Sequence, residues 1–250
     1  MKLKINIKYT VALLIIQLLF SYQQVISKKD DLNDFDDLIN LLEQKVETVS
    51  KYSQSVTEAP SSVSVITTEE IKRFGYYTLS DALNSLRGFL LRSDRVYSYF
   101  GIRGLDNPNS YNNNIVLMVN GHKINDYVYF TPGFGYELPF NLDIVDRIEV
   151  VRGPGSSIYG TAALTGVINV ITKSGKMYDG VESCVSYGNL NYTRAKISYG
   201  KNLGSDFDFI IAANYTKDDG ENIYFQEFDD TTTNNGIAEN LDGFKSYSLF

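Results

Sequence analysis

Residues 144–173 read IVDRIEVVRGPGSSIYGTAALTGVINVITK, and this stretch decides the fold. Its two β-branched apolar runs, IEVV and VINVIT, are typical of buried strands. Between them, Gly153, Pro154, Gly155 and Gly160 permit a tight turn with close backbone packing. The stretch therefore predicts two packed strands joined by a compact, glycine-rich connection.

A strand and two short helices are predicted on the N-terminal side of this stretch. Residues 62–66 (SVSVI) indicate the strand. The next residues, TTEE, form a capping box in which the Thr67 hydroxyl and the Glu70 carboxylate satisfy exposed backbone amides reciprocally. The first helix should end at Gly75, and the second should run over residues 79–87, with its leucines on one face and a glycine after it.

A hairpin is predicted between the helices and the deciding stretch. Residues 115–119 (IVLMV) form a continuous apolar run. Asn120-Gly121 is the strongest short hairpin signal, because both turn positions favour positive φ. Residues 122–124 are the expected return strand, and an aromatic, glycine-rich loop follows them. Together these segments indicate an α+β domain with a small mixed β-sheet.

The sequence pattern changes after residue 176. Apolar and polar residues alternate in segments of about ten residues that are separated by short turns and carry aromatic ends, as in outer-membrane strands. Each segment alone is a weak signal, and a soluble antiparallel meander is the alternative. We therefore expect antiparallel strands in residues 176–250, as the first strands of a transmembrane β-barrel if the chain is exported.

Residues 1–27 have the organisation of a secretory signal peptide. Lys2, Lys4 and Lys8 form a basic region, an apolar run follows, and cleavage is expected near Ser27. A membrane anchor is the alternative, but the apolar run has about half of the roughly 20 residues that span a bilayer. No later run is apolar enough for a transmembrane helix, so any membrane span must be built from strands.

Composition and side-chain chemistry argue against several functions. The chain is 43% hydrophobic and 21% charged, with a net charge of −7. No basic patch stands out, so a nucleic-acid partner is not expected. Cys184 and His122 are the only cysteine and histidine, too few for a Cys/His metal site or a nucleophile–base pair. We expect no catalytic residue, no metal site, no cofactor and hence no enzyme.

Three stretches resemble, in their order and spacing, the plug domain of TonB-dependent outer-membrane receptors: residues 59–88, residues 101–126 (which contain GIRG and IVLMVNGHKIND) and residues 144–173. The third stretch is the most specific. The resemblance divides the chain into a signal peptide (1–27), an N-terminal periplasmic segment (28–58), a plug domain (59–175) and an incomplete barrel (176–250).

The resemblance implies a receptor in the outer membrane of a Gram-negative bacterium, with the plug inside a barrel of about 22 strands. Such receptors take up an iron–siderophore complex, haem or cobalamin, with energy delivered by TonB and the inner-membrane energising complex. The expected partners are therefore such a ligand, TonB and outer-membrane lipid. A plug-like binding or signalling module without transport is the alternative. Residues 176–250 have room for about four or five strands, which cannot close a barrel, so we expect a truncated sequence.

The resemblance also implies a TonB box, an extended and accessible segment before the plug that adds to TonB as a β-strand. The best candidate comprises Val46, Glu47, Thr48, Val49 and Ser50. It departs from the family's usual run of valines ending in Thr-Ala. A plain linker is the alternative.

Two aromatic loops match the apical, ligand-binding positions of the plug: residues 94–100 (DRVYSYF) and residues 126–136 (DYVYFTPGFGY). Clustered loop aromatics can stack on planar or macrocyclic ligands. Packing against barrel loops is the alternative for each ring. The rings that we expect to be exposed to ligand are those of Tyr97, Tyr99, Tyr127, Tyr129, Phe130, Phe134 and Tyr136.

Three charged residues lie beside apolar strands and should therefore be paired. We expect Arg103, Glu149 and Arg152 to form their ion pairs across the contact between plug and barrel. Exposed surface charge is the alternative.

Overall fold

The structure, a computed structural model, describes residues 45–46, 48, 54–55, 62–95, 97–105, 111–204 and 207–250. The chain divides into two units, Met1–Gln44 and Lys45–Phe250, and the described residues all belong to the second. The predicted signal peptide therefore lies outside the described residues. Glu47, Val49 and Ser50 of the TonB-box candidate also lie outside them.

The described residues as far as Thr172 alternate between strands and short helices. In chain order these elements are β1 (Lys45–Val46), β2 (Gln54–Ser55), β3 (Ser62–Thr67), α1 (Thr68–Phe74), α2 (Leu79–Asn84), β4 (Phe89–Ser93), β5 (Ser98–Ile102), β6 (Ile115–Val119), β7 (His122–Lys123), a 3-10 turn (Leu142–Ile144), β8 (Val145–Arg152), α3 (Ser156–Tyr159) and β9 (Gly166–Thr172).

A five-stranded mixed sheet with the order β3-β8-β9-β6-β7 organises this part of the chain. β9 and β6 run parallel, whereas the other neighbouring strands run antiparallel. β1 pairs with β2, and β4 pairs with β5, in two separate two-stranded sheets. The predicted α+β domain with a small mixed sheet is confirmed.

The glycine-rich connection between β8 and β9 packs as tightly as the sequence predicts. Gly153 has a φ of 135°, which favours glycine. A side chain at position 155 would place its Cβ 2.9 Å from a methyl carbon of Val167. The Gly155 N–H donates to the Ala163 carbonyl at 2.8 Å. The connection therefore folds back onto the first residues of β9.

The helix starts agree with the sequence, whereas one helix end does not. α1 has the predicted capping box at Thr67 and ends at Gly75 with a φ of 66°. α2 ends at Asn84, earlier than predicted. The Ser85 hydroxyl donates to the Ala82 carbonyl at 2.7 Å, and this local bond competes with continuation of the helix.

The Asn120-Gly121 hairpin is confirmed, with φ values of 49° and 80° at its two turn residues. Beneath it, the main core lies between the mixed sheet and the two helices. Leu79 and Leu83 of α2 and Ile148 and Ile168 of the sheet are fully buried. Burial of each such side chain contributes about 1.5 to 3 kcal/mol.

The second half of the structure is an antiparallel meander. Its elements are α4 (Gly175–Tyr178), β10 (Gly180–Tyr187), β11 (Thr193–Asn202), β12 (Asp208–Asp218), β13 (Glu221–Tyr224), β14 (Ile237–Leu241) and β15 (Phe244–Leu249). β10, β11, β12 and β15 form one four-stranded sheet, and β13 and β14 form a hairpin between β12 and β15. The predicted antiparallel strands are confirmed, but alternation alone did not reveal the β13–β14 hairpin.

The two faces of the four-stranded sheet have unusual polarity. Its inner face carries polar and small side chains, such as the buried Ser198, Ala212 and Thr216. Its outer face is apolar, with side chains 52% to 77% exposed: Val181, Val185, Tyr187, Ile197, Ile211, Tyr247 and Leu249. A water-soluble antiparallel sheet normally buries its apolar face instead. The observed polarity therefore disfavours the soluble meander.

Across the part of the chain that is described, no helix combines the length and the hydropathy that crossing a bilayer requires.

Candidate ligand-binding site

An aromatic cavity of about 750 Å³ lies among the loops that follow β4, β5 and β7. Residues before β5, after β5 and in the loop after β7 all contribute to its lining. The side chains that give it its chemical character are Tyr97, Tyr99, Tyr111, Asp126, Tyr129 and Glu137. A cavity of this size, lined by rings with a few polar groups, is typical of a small-molecule site.

A single carboxylate organises the loop after β7. Asp126 accepts hydrogen bonds from the backbone N–H groups of Val128, Tyr129 and Thr131 and from the Thr131 hydroxyl. These bonds lower the pKa of Asp126 below its ordinary value, and the bond from the Val128 N–H has the largest effect. The loop is therefore held in one conformation around an anionic side chain. Its tip presents Tyr127 91% exposed and Tyr129 72% exposed.

Two buried asparagines fix the bases of the cavity loops. The Asn125 amide accepts from the Leu117 N–H and donates to the carbonyls of Ile115 and Phe130, at 2.8 Å each. Asn112, with a φ of 60°, accepts from the Phe100 N–H at 2.8 Å and donates to Ser98. Sequence reasoning missed both residues. Nothing in the NNN run at 112–114 marks which asparagine is buried.

Tyr99 lies in the wall of the cavity and is 7% exposed, so the expectation that its ring is exposed is wrong. Its hydroxyl donates to Asp94 at 2.7 Å, and the Arg92 guanidinium lies 5.0 Å from its ring centroid. The hydrogen bond to Asp94, followed by burial, raises the pKa of Tyr99 to about 12. The ring is therefore a fixed, neutral part of the wall.

The structure separates the seven predicted ligand-facing rings into different environments. Tyr97, Tyr99 and Tyr129 line the aromatic cavity. Tyr127 and Phe130 lie at the loop tip, and the Lys123 ammonium is 5.4 Å from the Phe130 centroid. That these five rings bind the ligand stays a prediction.

Two of the predicted rings have packing roles. Phe134 is 1% exposed and meets Phe100 edge to face at 5.1 Å, so the expectation that its ring is exposed is wrong. Phe134 is flanked by Gly133 and Gly135, and its ring belongs to the main core. Tyr136 stacks on Phe244 of β15 with centroids 4.0 Å apart. Tyr111 and Glu137 line the cavity, and sequence reasoning did not include them.

A second cavity of about 830 Å³ adjoins the first and shares Tyr97, Ser98 and Glu137 with it. Its far side is formed by residues 241–246, which follow β14 and begin β15. Arg95 crosses this cavity to Asp242 at 2.7 Å. The first cavity is lined by the mixed-sheet domain alone, and the second, which shares three lining residues with it, lies between that domain and the meander.

Thr48, within the TonB-box candidate, occupies a separate polar site and is 1% exposed. Its N–H and its hydroxyl donate to one oxygen of the Glu149 carboxylate at 3.1 Å and 2.5 Å. Its carbonyl accepts from the Tyr159 hydroxyl at 2.6 Å, and its hydroxyl accepts from the Asn169 amide at 3.2 Å. The expectation that this segment is accessible is therefore wrong at Thr48. The buried Glu149 charge requires donors, and Thr48 supplies two of them.

A comparison with protein families identifies the domain that carries these two sites. The family profile of the TonB-dependent receptor plug domain matches residues 55–167. These residues are therefore similar to the TonB-dependent receptor plug domain, and we refer to them as the plug. The plug contains β3 to β8 and the first residues of β9. Glu149 and the lining residues of the aromatic cavity lie within it, whereas Thr48 precedes it.

The curated relatives of this plug chain are longer proteins. The vitamin B12 transporter BtuB of Vibrio cholerae is 28% identical over 188 residues, which are 72% of this chain and 29% of that protein. The iron-regulated outer membrane virulence protein of the same species is 35% identical over 136 residues, which are 52% of this chain and 20% of that protein. The chain thus spans less than a third of the length of these relatives.

Solved structures show the same fold, a plug followed by antiparallel strands. The ferripyoverdine receptor of the Pseudomonas aeruginosa outer membrane has a TM-score of 0.55 and 17% identity, covering 70% of this chain and 23% of that one. The alcaligin outer membrane receptor of Bordetella pertussis has a TM-score of 0.53 and 21% identity, covering 70% and 30%.

One carboxylate of the plug, that of Asp143, makes two ionic contacts with the meander. Asp143 accepts from Arg194 of β11 at 2.9 Å and also binds the Lys196 ammonium. The Arg194 guanidinium lies 5.3 Å from the ring centroid of Tyr77. Sequence reasoning missed this contact. The alternation of β11 places Arg194 and Lys196 on one face, but no local signal identifies their partner.

The three charged residues predicted to pair at the plug's outer contact differ in their surroundings. Glu149 is fully buried and forms an ion pair with Arg147 at 2.9 Å, so its predicted contact with a barrel is wrong. The buried carboxylate is satisfied by Arg147 and Thr48 instead. Arg152 donates to the Arg87 carbonyl and the Ser64 hydroxyl, and its Nε is buried without a hydrogen-bond partner.

Arg152 belongs to a cluster of positive charge. Burial and the nearby guanidinium groups of Arg103 and Arg87 lower the pKa of Arg152. Among the described residues, no carboxylate forms an ion pair with any of these three arginines. The predicted partners of Arg103 and Arg152 stay a prediction.

Among the described residues, no group of three or more His, Cys, Asp or Glu side chains could hold a metal ion.

Proposed function

We propose that this chain belongs to an outer-membrane receptor that takes up a nutrient complex with energy delivered by TonB. The observation that carries the proposal is the polarity of the meander beside a plug domain. Its outer face is apolar and exposed across four strands, whereas its inner face is polar and meets the plug. Lipid outside and a polar interior produce this pattern in outer-membrane barrels.

The aromatic cavity supports a ligand-binding role for the plug. Its rings come from loops that are fixed by Asn112, Asn125 and Asp126 rather than by the ligand. A prearranged site loses less conformational entropy when the ligand binds. The relatives' names refer to vitamin B12 transport and to iron regulation. We therefore propose an iron chelate, haem or a corrinoid as the transported ligand.

The contacts of Thr48 support a coupling role for the N-terminal part of the chain. Thr48 is held by one buried carboxylate, one amide and one hydroxyl of the plug. A segment attached by a few polar bonds can be released without unfolding the plug core. We propose that residues 46–50 are the TonB box and that TonB takes up this segment once it leaves the Glu149 site.

The arginine cluster supports the proposal that a barrel encloses the plug. Arg103 and Arg152 carry positive charge that the described residues do not neutralise. Arg152 is half-buried, and such charges are normally paired, whereas Arg103 is exposed on the described part of the chain and free to meet a surrounding wall. We propose that carboxylates of the barrel pair with these two arginines.

The test is ligand binding by the full-length protein in outer-membrane fractions. Tyr97→Ala and Tyr129→Ala should each weaken binding of the transported ligand roughly tenfold or more, because truncation of a central ring at a binding site commonly has that effect. Phe74→Ala is the matched control, since Phe74 is 63% exposed on α1 away from the cavity.

Unchanged affinity in both tyrosine variants would remove the cavity from the ligand site. Binding that depends on the tyrosines, without any uptake into the periplasm, would favour a binding or signalling module without transport. Absence of the full-length protein from outer-membrane fractions would contradict the location.

A further inference from the structure

We propose that the apical surface selects a ligand without net negative charge, either neutral or cationic, that presents a flat ring face or an apolar face. This inference rests on the proposed ligand-binding function and specifies the ligand's chemistry. It concerns the two adjoining cavities that share Tyr97, Ser98 and Glu137.

The charges that line the aromatic cavity are all negative. Asp126 and Glu137 contribute carboxylates, and none of the lining residues that the structure describes is lysine or arginine. Asp126 keeps its charge because the backbone N–H groups of its own loop lower its pKa. An anionic chelate would therefore meet carboxylates where it needs guanidinium or ammonium donors.

The adjoining cavity has the same sign. Its lining contains the carboxylates of Asp81, Glu137, Asp218, Glu221 and Asp242. Arg95 and Lys245 are the cations among its described lining residues, and Arg95 is already neutralised by Asp242 at 2.7 Å. Charges of one sign on the walls of a cleft focus the potential, so this surface attracts cations and repels anions.

The rings act in the same direction as the carboxylates. Tyr97, Tyr111 and Tyr129 are 52%, 61% and 72% exposed at the cavity. The face of an aromatic ring carries a partial negative potential and binds cations or flat apolar groups. Arg92 lies over the Tyr99 ring but is not among the residues that line the cavity. The exposed rings therefore provide stacking surface without adding positive charge.

Three probes of different charge separate the possibilities. Cyanocobalamin is a neutral corrinoid, ferrioxamine B is a monocationic ferric hydroxamate, and a ferric tris-catecholate is trianionic. We expect the full-length receptor to bind the corrinoid or the hydroxamate at least tenfold more tightly than the tris-catecholate. Whichever of the corrinoid and the hydroxamate binds more tightly then shows whether the ligand is a neutral corrinoid or a cationic ferric chelate.

Glu137→Gln tests the charge directly, because it removes the negative charge but keeps an oxygen acceptor. The Gly135 N–H, which donates to Glu137 at 2.8 Å, can donate to that oxygen. One unit charge removed at short range should change the affinity of a charged probe by about three- to tenfold. The cationic probe should bind more weakly and the trianionic probe more tightly, while the neutral probe stays within about twofold. Glu69→Gln on α1, outside both cavities, is the matched control and should change none of them.

Tighter wild-type binding of the trianionic probe would overturn this inference, and so would a shift of the same sign for both charged probes in Glu137→Gln. Tyr129→Ala keeps this failure distinct from failure of the proposed function. If trianionic binding is lost in Tyr129→Ala, the site is correct and only its charge preference is wrong. If Tyr129→Ala affects no probe, the cavity is not the ligand site.

Discussion

At the scale of single residues, the contact between the plug and the meander depends on Asp143. Its carboxylate lies between Arg194 and Lys196, whose side chains are 11% and 12% exposed. Loss of a largely buried ionic acceptor leaves two cations facing each other without compensation. The contact should therefore be sensitive to one substitution.

We expect Asp143→Asn to lower the free energy of unfolding by about 2 to 3 kcal/mol, because hydrogen bonds between charged groups at half-buried positions contribute this much. Denaturant titration of the full-length protein in lipid vesicles measures it. Asp179→Asn removes an exposed carboxylate paired with Lys201 at 2.9 Å and should cost less than about 1 kcal/mol. Equal effects of the two substitutions would show that Asp143 is an ordinary surface charge.

Tyr99 gives a prediction about alkaline pH. Its pKa is raised from the ordinary 10.0 to about 12 by the hydrogen bond to Asp94. The folded state therefore holds the phenolic proton more tightly than the unfolded state does. The resulting stability is fully present below pH 10 and is lost as the pH rises toward 12. Tyrosinate absorbance of the wild type minus that of Tyr99→Phe should show a midpoint near pH 12. A midpoint near pH 10 would mean that the Asp94 bond is not formed.

At the residue scale, the sequence predicted which types of residue form the sites but not how deeply each is buried. The candidate residues could be chosen from the sequence because clustered aromatic residues are unusual in loops and charged residues are unusual beside apolar strands. Phe134 and Glu149 were assigned to the outer contacts because sequence gives a residue's type and not its depth. Asn112 and Asn125 act through backbone groups several residues away, so their local sequence resembles that of any polar loop.

At the scale of elements, local signals predicted most of the plug. The capping box before α1, the Asn120-Gly121 turn and the glycine-rich connection after β8 each specify backbone geometry within a few residues. The pairing order β3-β8-β9-β6-β7 depends on contacts between distant segments and could not be read from them. The β13–β14 hairpin was missed because its short, polar strands lack regular alternation.

The meander's outer face gives an element-scale prediction. Ile197 is 54% exposed in the middle of β11. If that face contacts lipid, Ile197→Arg should cost about 2 to 4 kcal/mol, since a charge near the bilayer midplane is poorly solvated. If it contacts water, the cost should be within about 0.5 kcal/mol. Leu203→Arg, at a turn and 62% exposed, is the control and should cost little in either case. Refolding equilibria in lipid vesicles measure both.

The docked N-terminal segment gives a second element-scale prediction. Thr48→Val keeps the side chain's shape but removes the hydroxyl that joins Glu149 and Asn169. Hydrogen bonds to charged groups contribute about 1.5 to 3 kcal/mol, so amide protection of the segment should fall roughly ten- to a hundredfold. Hydrogen exchange on peptides covering Thr48 measures it, with Thr161→Val, at an exposed loop position, as control. Unchanged protection would mean that the hydroxyl does not hold the segment.

At the scale of the whole molecule, the Glu149 site lies on the five-stranded sheet, whereas the aromatic cavity lies among the loops around β5 and after β7. The hairpin turn provides a structural connection between them. The Gly121 N–H donates to the Asn169 side chain at 3.0 Å, and the same side chain donates to Thr48. The β6–β7 hairpin then leads into the loop that lines the aromatic cavity. Ligand contacts and the N-terminal segment thus share one hydrogen-bonded element.

The central claim is that the plug carries a ligand site and a separate N-terminal segment through which TonB drives uptake. It is tested most directly by measuring binding and uptake together in cells that express the full-length protein, with and without residues 46–50. Radiolabelled cyanocobalamin and ferrioxamine B are the probes. We predict that the deletion leaves surface binding within about twofold and reduces uptake at least tenfold. Uptake that continues at the wild-type rate without residues 46–50 would contradict the claim.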